Sequence, residues 1–132
     1  MATLRKELEL KTSASRVWDA LADFHAVDKR VAPGFVTQSQ PDGDARILTF
    51  HNGSVLREML VSSDDASRRL VYAISNEQLK HYNAAAQVFP EGETRCRFVW
   101  TIDVLPHEMA DYIGAQMDTA LRVMKPTLEA TS

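Results

Sequence analysis

The chain is short of cysteine: Cys96 is its only one in 132 residues, which excludes an internal disulfide framework. It also lacks an excess of positive charge. Fifteen Lys and Arg against eighteen Asp and Glu leave a formal charge of −3, so nothing here supplies the basic footprint of a nucleic-acid partner or of an anionic membrane surface. No run approaches the roughly 20 apolar residues of a membrane-spanning helix. Residues 1–11 alternate charged and apolar side chains where an export signal would have an unbroken apolar core. These absences lead us to expect a cytoplasmic protein with no nucleic-acid partner and no membrane insertion.

The missing motifs narrow the chemistry. His25, His51, His81 and His107 have no mutual spacing suited to a metal site. There is no serine nucleophile elbow, no phosphate-binding loop and no dinucleotide fingerprint, so neither a metal nor a nucleotide cofactor is expected. Glycine and proline number five each and fall mostly in short turn signals, such as Pro33-Gly34, Asp42-Gly43-Asp44 and Asn52-Gly53. No linker-like stretch or internal repeat is present, and one domain spanning 1–132 is expected.

What is there is a change of period along the chain. Leu4, Lys6, Leu8 and Leu10 alternate with Arg5, Glu7, Glu9 and Lys11, the period of a strand, although a segment rich in Glu and Leu also suits a helix. Ser13 or Ser15 is placed to cap a helix whose apolar residues are Val17, Trp18, Leu21 and Phe24. Residues 26–31 suggest a further helical turn, stopped at Pro33-Gly34. Six strands are then expected: 35–40, 45–50, 55–62, 69–75, one about Tyr82–Val88, and 94–104. In the last of these, Cys96, Phe98, Trp100, Ile102 and Val104 share one face. Pro106 suits a helix start. Met109, Ile113, Gln116, Met117, Ala120, Leu121, Met124 and Leu128 then form one stripe at spacings of three and four. The order strand, two short helices, strand meander and long helix is α+β. The apolar faces of sheet and helix must bury each other.

Candidate site residues follow from the hairpin at His51-Asn52-Gly53. If these three residues form the loop, with Gly53 in the left-handed conformation, Phe50 pairs with Ser54, Leu48 faces Leu56, and Arg46 faces Glu58. A two-residue turn would shift this by one residue. In the three-residue register a charged pair lies among apolar residues on the inner face. Burying it dry would cost several kcal/mol per ion. Arg46 and Glu58 are therefore candidates for a structural ion pair, for orienting a polar group of a ligand, or for catalysis, with Glu58 as general base. Tyr72, Tyr82 and Trp100 also point inward by parity. With Trp18, Phe50, Met109, Ile113 and Met117 they are the candidate ligand-binding residues; core packing is the alternative for each, and a methionine stripe on a helix is more often core. His25, next to Phe24, is placed near the mouth of the compartment. Cys96 reads as an inert buried thiol. On the outer face, Ile47, Val55, Met59 and Val99 form an apolar set that would suit a homodimer.

The order and spacing of several short motifs carry a resemblance. Ser15-Arg16-Val17-Trp18-Asp19-Ala20-Leu21 through Phe24 is followed by Pro33-Gly34, by Ala45-Arg46 running through Asn52-Gly53 to Glu58, and by Arg69-Leu70-Val71-Tyr72. His81-Tyr82-Asn83-Ala84 and Phe98-Val99-Trp100 complete the set. Over nearly its whole length the chain resembles the SRPBCC or START-like superfamily, and within it the polyketide cyclase/dehydrase family of small bacterial proteins. Many relatives carry a Trp just before the Pro-Gly turn, where this chain has Lys29-Arg30-Val31-Ala32. The resemblance implies the helix-grip fold of the birch-pollen allergens: a curved antiparallel sheet of about seven strands around a long C-terminal helix, with a cavity between them. Such a fold hosts several functions. Binding of a small hydrophobic or aromatic ligand is the leading expectation. A cyclase or dehydratase using cavity Glu, Arg or Tyr side chains, and a protein-interaction or dimerisation domain, are the alternatives.

Overall fold

The structure, a computed structural model, describes residues 2–130. Its seven strands are β1 (Ala2–Leu10), β2 (Val36–Asp42), β3 (Ala45–Phe50), β4 (Val55–Asp64), β5 (Arg69–Ala73), β6 (His81–Pro90) and β7 (Cys96–Leu105). They form one antiparallel sheet in the order β1-β7-β6-β5-β4-β3-β2. Between β1 and β2 lie α1 (Ala14–Ala22), a single 3₁₀ turn (Phe24–Ala26) and α2 (Val27–Arg30). A second 3₁₀ turn (His107–Met109) leads into the long α3 (Ala110–Glu129). This is the α+β helix-grip arrangement, with the two short helices after the first strand.

Local chemistry sets the element ends. Ser13, not Ser15, caps α1: its Oγ accepts from Arg16 N at 3.2 Å. Arg30 at the end of α2 reaches back to Asp19 at 2.6 Å and Asp23 at 3.0 Å, fastening the short helices to each other. The Glu-Leu-rich N-terminal segment is a strand because it pairs residue for residue with β7, from Ala2 opposite Val104 to Leu10 opposite Cys96.

Some boundaries differ from expectation. β2 runs on through Pro41 and Asp42. Proline is tolerated there because β2 is an edge strand, with one side of its ladder unpaired. β7 begins at Cys96, two residues after the alternating pattern starts, and β5 stops at Ala73. In β4 the register slips between Leu60 and Ser62, leaving Val61 as an extra residue at 58% exposure. Such a bulge bends a strand and adds twist, which helps the sheet curve around the helix.

α3 presents Met117, Ala120, Leu121, Met124 and Leu128 to a core shared with Leu10, Val88, Phe98 and Ile102. Gly114 permits a close approach: a Cβ there would meet Leu4 Cδ2 at 3.2 Å. Lys6–Asp118 at 3.0 Å and Lys125 Nζ to Glu9 O at 2.8 Å tie the helix along β1. On the outer face Val99 is buried at 7%, in register between Glu7 and Gln87, and Ile47 and Met59 are half-buried. Of the four residues expected to form an outer apolar patch, only Val55 is exposed.

Candidate functional site

The β3–β4 hairpin brings the charged pair together. Gly53 adopts φ +87°, and Phe50 N donates to Ser54 O at 2.8 Å. The three-residue loop therefore holds, and Arg46 lies opposite Glu58 with Leu48 opposite Leu56. Both charged residues are buried, at 4% and 5% exposure. Arg46 Nε donates to Glu58 Oε1 at 2.8 Å, and Nη2 lies 2.7 Å from the same oxygen. Nη1 donates to the Phe24 carbonyl at 2.8 Å. The guanidinium also sits 3.9 Å from the Phe24 ring centre and 5.1 Å from that of Tyr72, within cation–π range of both. Glu58 Oε2 has no hydrogen-bond partner among the described residues.

Between the sheet and α3 lies a cavity of about 600 Å³. Its walls are mainly apolar and aromatic: Phe35, Phe50, Leu56, Tyr72, Ile74, Leu79, Tyr82, Trp100, Ile102, Met109, Ile113 and Met117. Glu58 lines it too, and is its only charged side chain among the described residues. A smaller void of about 70 Å³ adjoins it, shares Phe35, Phe50, Glu58, Tyr72 and Trp100 with it, and is also bounded by Arg46 and Leu48.

Two hydroxyls join Glu58 in the cavity. Trp100 Nε1 donates to Tyr72 Oη at 3.1 Å. Burial, and secondarily the Glu58 charge, push the Tyr72 phenol above its ordinary range, against the smaller opposing effects of Arg46 and the Trp100 bond. Burial also raises Tyr82 well above that range, with Tyr72 and Glu58 adding to the effect and Arg46 opposing it. Both hydroxyls are therefore held neutral, as donors. Tyr82 is 9% exposed and has no hydrogen-bond partner among the described residues.

The remaining polar lining comes from Asn52, Ser54, Asn76, Gln78, Tyr112 and Gln116. Asn52 Nδ2 donates to Tyr112 Oη at 3.1 Å, and His51 Nε2 lies 3.5 Å from Gln116 Oε1, so the hairpin loop is joined to α3. Asn76 Oδ1 accepts from the backbone N–H groups of Gln78 and Leu79, which shapes the β5–β6 loop.

Of the residues put forward from sequence, Phe50, Glu58, Tyr72, Tyr82, Trp100, Met109, Ile113 and Met117 meet at this one cavity. Trp18 does not. Its indole N–H donates to Asp65 at 2.8 Å and ties α1 to the β4–β5 turn, outside the cavity lining. Arg46 borders the smaller void and not the larger cavity, whose lining it reaches through Glu58 and the Tyr72 ring. His25 is exposed against Phe24 and also outside the lining. The polar lining residues are absent from that set; the one sequence signal for them is Gln116, which interrupts an otherwise apolar stripe. Among the described residues no cluster of His, Cys, Asp or Glu could hold a metal ion, and no helix is long and apolar enough to cross a membrane.

A family model described as polyketide cyclase / dehydrase and lipid transport matches residues 1–129. The chain belongs to this family. No curated protein sequence matches it. Among solved structures, an uncharacterized protein from Bacillus thuringiensis is similar at a TM-score of 0.84 and 19% identity, covering 96% of this chain and 98% of the other. A START superfamily protein from Mycobacterium smegmatis is similar at 0.73 and 12%, covering 96% and 94%. Norcoclaurine synthase from Thalictrum flavum, in complex with dopamine and hydroxybenzaldehyde, is similar at 0.69 and 19%, covering 99% and 88%. At these identities the likeness establishes the fold, which these polyketide cyclase / dehydrase family residues share with the START and norcoclaurine synthase structures.

Proposed function

We propose that the protein binds a small hydrophobic or aromatic molecule in the cavity between the sheet and α3. The observation that carries this reading is the size of the space together with its lining. The space of about 600 Å³ reaches solvent past the exposed Asn52, Ser54, Asn76, Gln78 and Tyr112, so it holds water or a ligand, and walls built from Phe, Tyr, Trp, Ile and Met favour an apolar ligand over water. Tyr72, Tyr82 and Glu58 would orient its polar group. The proposed setting is the cytoplasm.

The test uses N-phenyl-1-naphthylamine, an uncharged fluorescent probe, titrated into the purified protein. Trp100→Ala and Tyr82→Ala each enlarge the cavity and remove a wall. Both are expected to remain folded by circular dichroism and to lose probe affinity at least tenfold. Unchanged affinity in both folded variants would remove the cavity as the binding site.

One observation favours a second reading, a cyclase- or dehydratase-like reaction. Glu58 lines the cavity with Oε2 uncommitted, while Arg46 holds Oε1. Glu58 would then act as general base and Arg46 as the residue that positions it. Glu58→Gln is expected to abolish turnover of any substrate found; a full retained rate would exclude Glu58 as the base.

A further inference from the structure

We propose that the cavity selects an uncharged ligand carrying a hydroxyl group on an aromatic or alicyclic frame, with that hydroxyl seated among Glu58, Tyr72 and Tyr82, and that it rejects carboxylates. This inference rests on the cavity-binding reading above and names the class of ligand.

The argument begins with charge. Glu58 is the only charged side chain lining the cavity among the described residues, and its charge is already balanced by Arg46. Each guanidinium nitrogen of Arg46 already has a partner in Glu58 or the Phe24 carbonyl, and Arg46 does not line the large cavity. A ligand carboxylate brought to this end would meet Glu58 with no cation left to answer it. A ligand ammonium would meet an already compensated carboxylate and add a net positive charge beside Arg46. In a buried site either ion loses its hydration without full repayment. The low-penalty occupant is neutral.

Hydrogen-bond capacity then selects the group. The Tyr72 oxygen already accepts from Trp100 Nε1, so its own O–H is left to donate. Tyr82 is nine-tenths buried, lines the cavity and has no partner among the described residues. Glu58 Oε2 is an uncommitted acceptor. The site thus offers two O–H donors and one strong acceptor. All three line the one cavity, and the Arg46 guanidinium that holds Glu58 lies 5.1 Å from the Tyr72 ring centre. A hydroxyl matches this set, since it donates one hydrogen bond and accepts others. A ketone or ether can only accept, and an apolar ligand leaves all three groups unanswered. The aromatic walls and the volume accommodate a multi-ring frame.

The experiment compares three probes of one size at pH 7: 2-naphthol, 2-methylnaphthalene and 2-naphthoate, each displacing N-phenyl-1-naphthylamine from the full chain. We expect 2-naphthol to bind at least tenfold tighter than either of the others. Tyr82→Phe keeps the ring and deletes the donor; it is expected to lower 2-naphthol affinity at least threefold and to bind 2-methylnaphthalene at least as tightly as the parent, since the hydroxyl that an apolar ligand leaves unanswered is gone. If 2-naphthoate binds as tightly as 2-naphthol, or 2-naphthol gains nothing over 2-methylnaphthalene, the hydroxyl selection is wrong while the cavity reading stands. An equal effect of Tyr82→Phe on 2-naphthol and 2-methylnaphthalene overturns the assigned seat. If N-phenyl-1-naphthylamine and all three probes fail to bind, the cavity reading falls and this inference falls with it.

Discussion

Replacing Arg46 with Met asks whether the buried pair holds the fold together or serves the cavity. Arg46 and Glu58 are 4% and 5% exposed and joined at 2.7–2.8 Å. The Met substitution keeps most of the apolar volume but removes the counter-ion of Glu58, the donor to the Phe24 carbonyl and the cation over the Phe24 ring. Breaking one side of a buried ion pair costs about 3–5 kcal/mol. For a domain of this size, at about 4 °C per kcal/mol, this lowers the melting temperature by about 12–20 °C. Glu58→Leu should cost a similar amount by stranding Arg46. The double variant Arg46→Met with Glu58→Leu leaves no buried charge, and is expected to return to within about 2 kcal/mol of the parent or to exceed it. Urea unfolding followed by tryptophan fluorescence, with differential scanning calorimetry, completes the double-mutant cycle. A stable double variant that no longer discriminates among neutral and charged probes would assign the pair to ligand selection. A loss below about 1 kcal/mol for Arg46→Met at unchanged denaturant slope would refute the reasoning, because it would mean that Glu58 is hydrated well enough through the cavity to need no partner.

The other predictions concern groups that burial silences. Cys96 is fully buried and its thiol is pushed up to about 11, chiefly by burial. At pH 8 the thiolate is about one part in a thousand, so a disulfide reagent should label the native protein far more slowly than the urea-unfolded chain; equal rates would contradict the burial. Tyr72 and Tyr82 keep their protons in the folded state above the pH at which the unfolded chain releases them. Their contribution to stability is therefore complete below about pH 10 and is lost as pH rises toward the folded-state values. Absorbance at 295 nm should show incomplete tyrosine ionisation at pH 11 while the protein remains folded, and completion on unfolding. Full ionisation of the folded protein at that pH would place both rings in water.

The parts of the site that were legible in the sequence depend on local rules. Asn52-Gly53 specifies the loop, the loop sets the register, and the register places Arg46 opposite Glu58. Strand parity likewise turns Tyr72, Tyr82 and Trp100 inward, and the helical stripe brings Met109, Ile113 and Met117 to face them. Trp18 shows where such rules stop. Helical spacing turns it toward the interior, but which part of the interior depends on how α1 lies across the sheet, and that is settled by contacts such as its bond to Asp65, 47 residues away. Val99 shows the same limit on the other face: parity points it outward, yet it is buried. The polar lining residues come from the hairpin loop, the β5–β6 loop and α3, a meeting that no single segment's pattern announces.

Native mass spectrometry of the gently purified protein, before and after incubation with a panel of neutral aromatic compounds, tests the central claim most directly. The account predicts a stoichiometric adduct of one small molecule on the 14.8 kDa chain, lost on unfolding and lost in Trp100→Ala. A bare mass under every condition, or an adduct that persists unchanged in the folded Trp100→Ala variant, would contradict it.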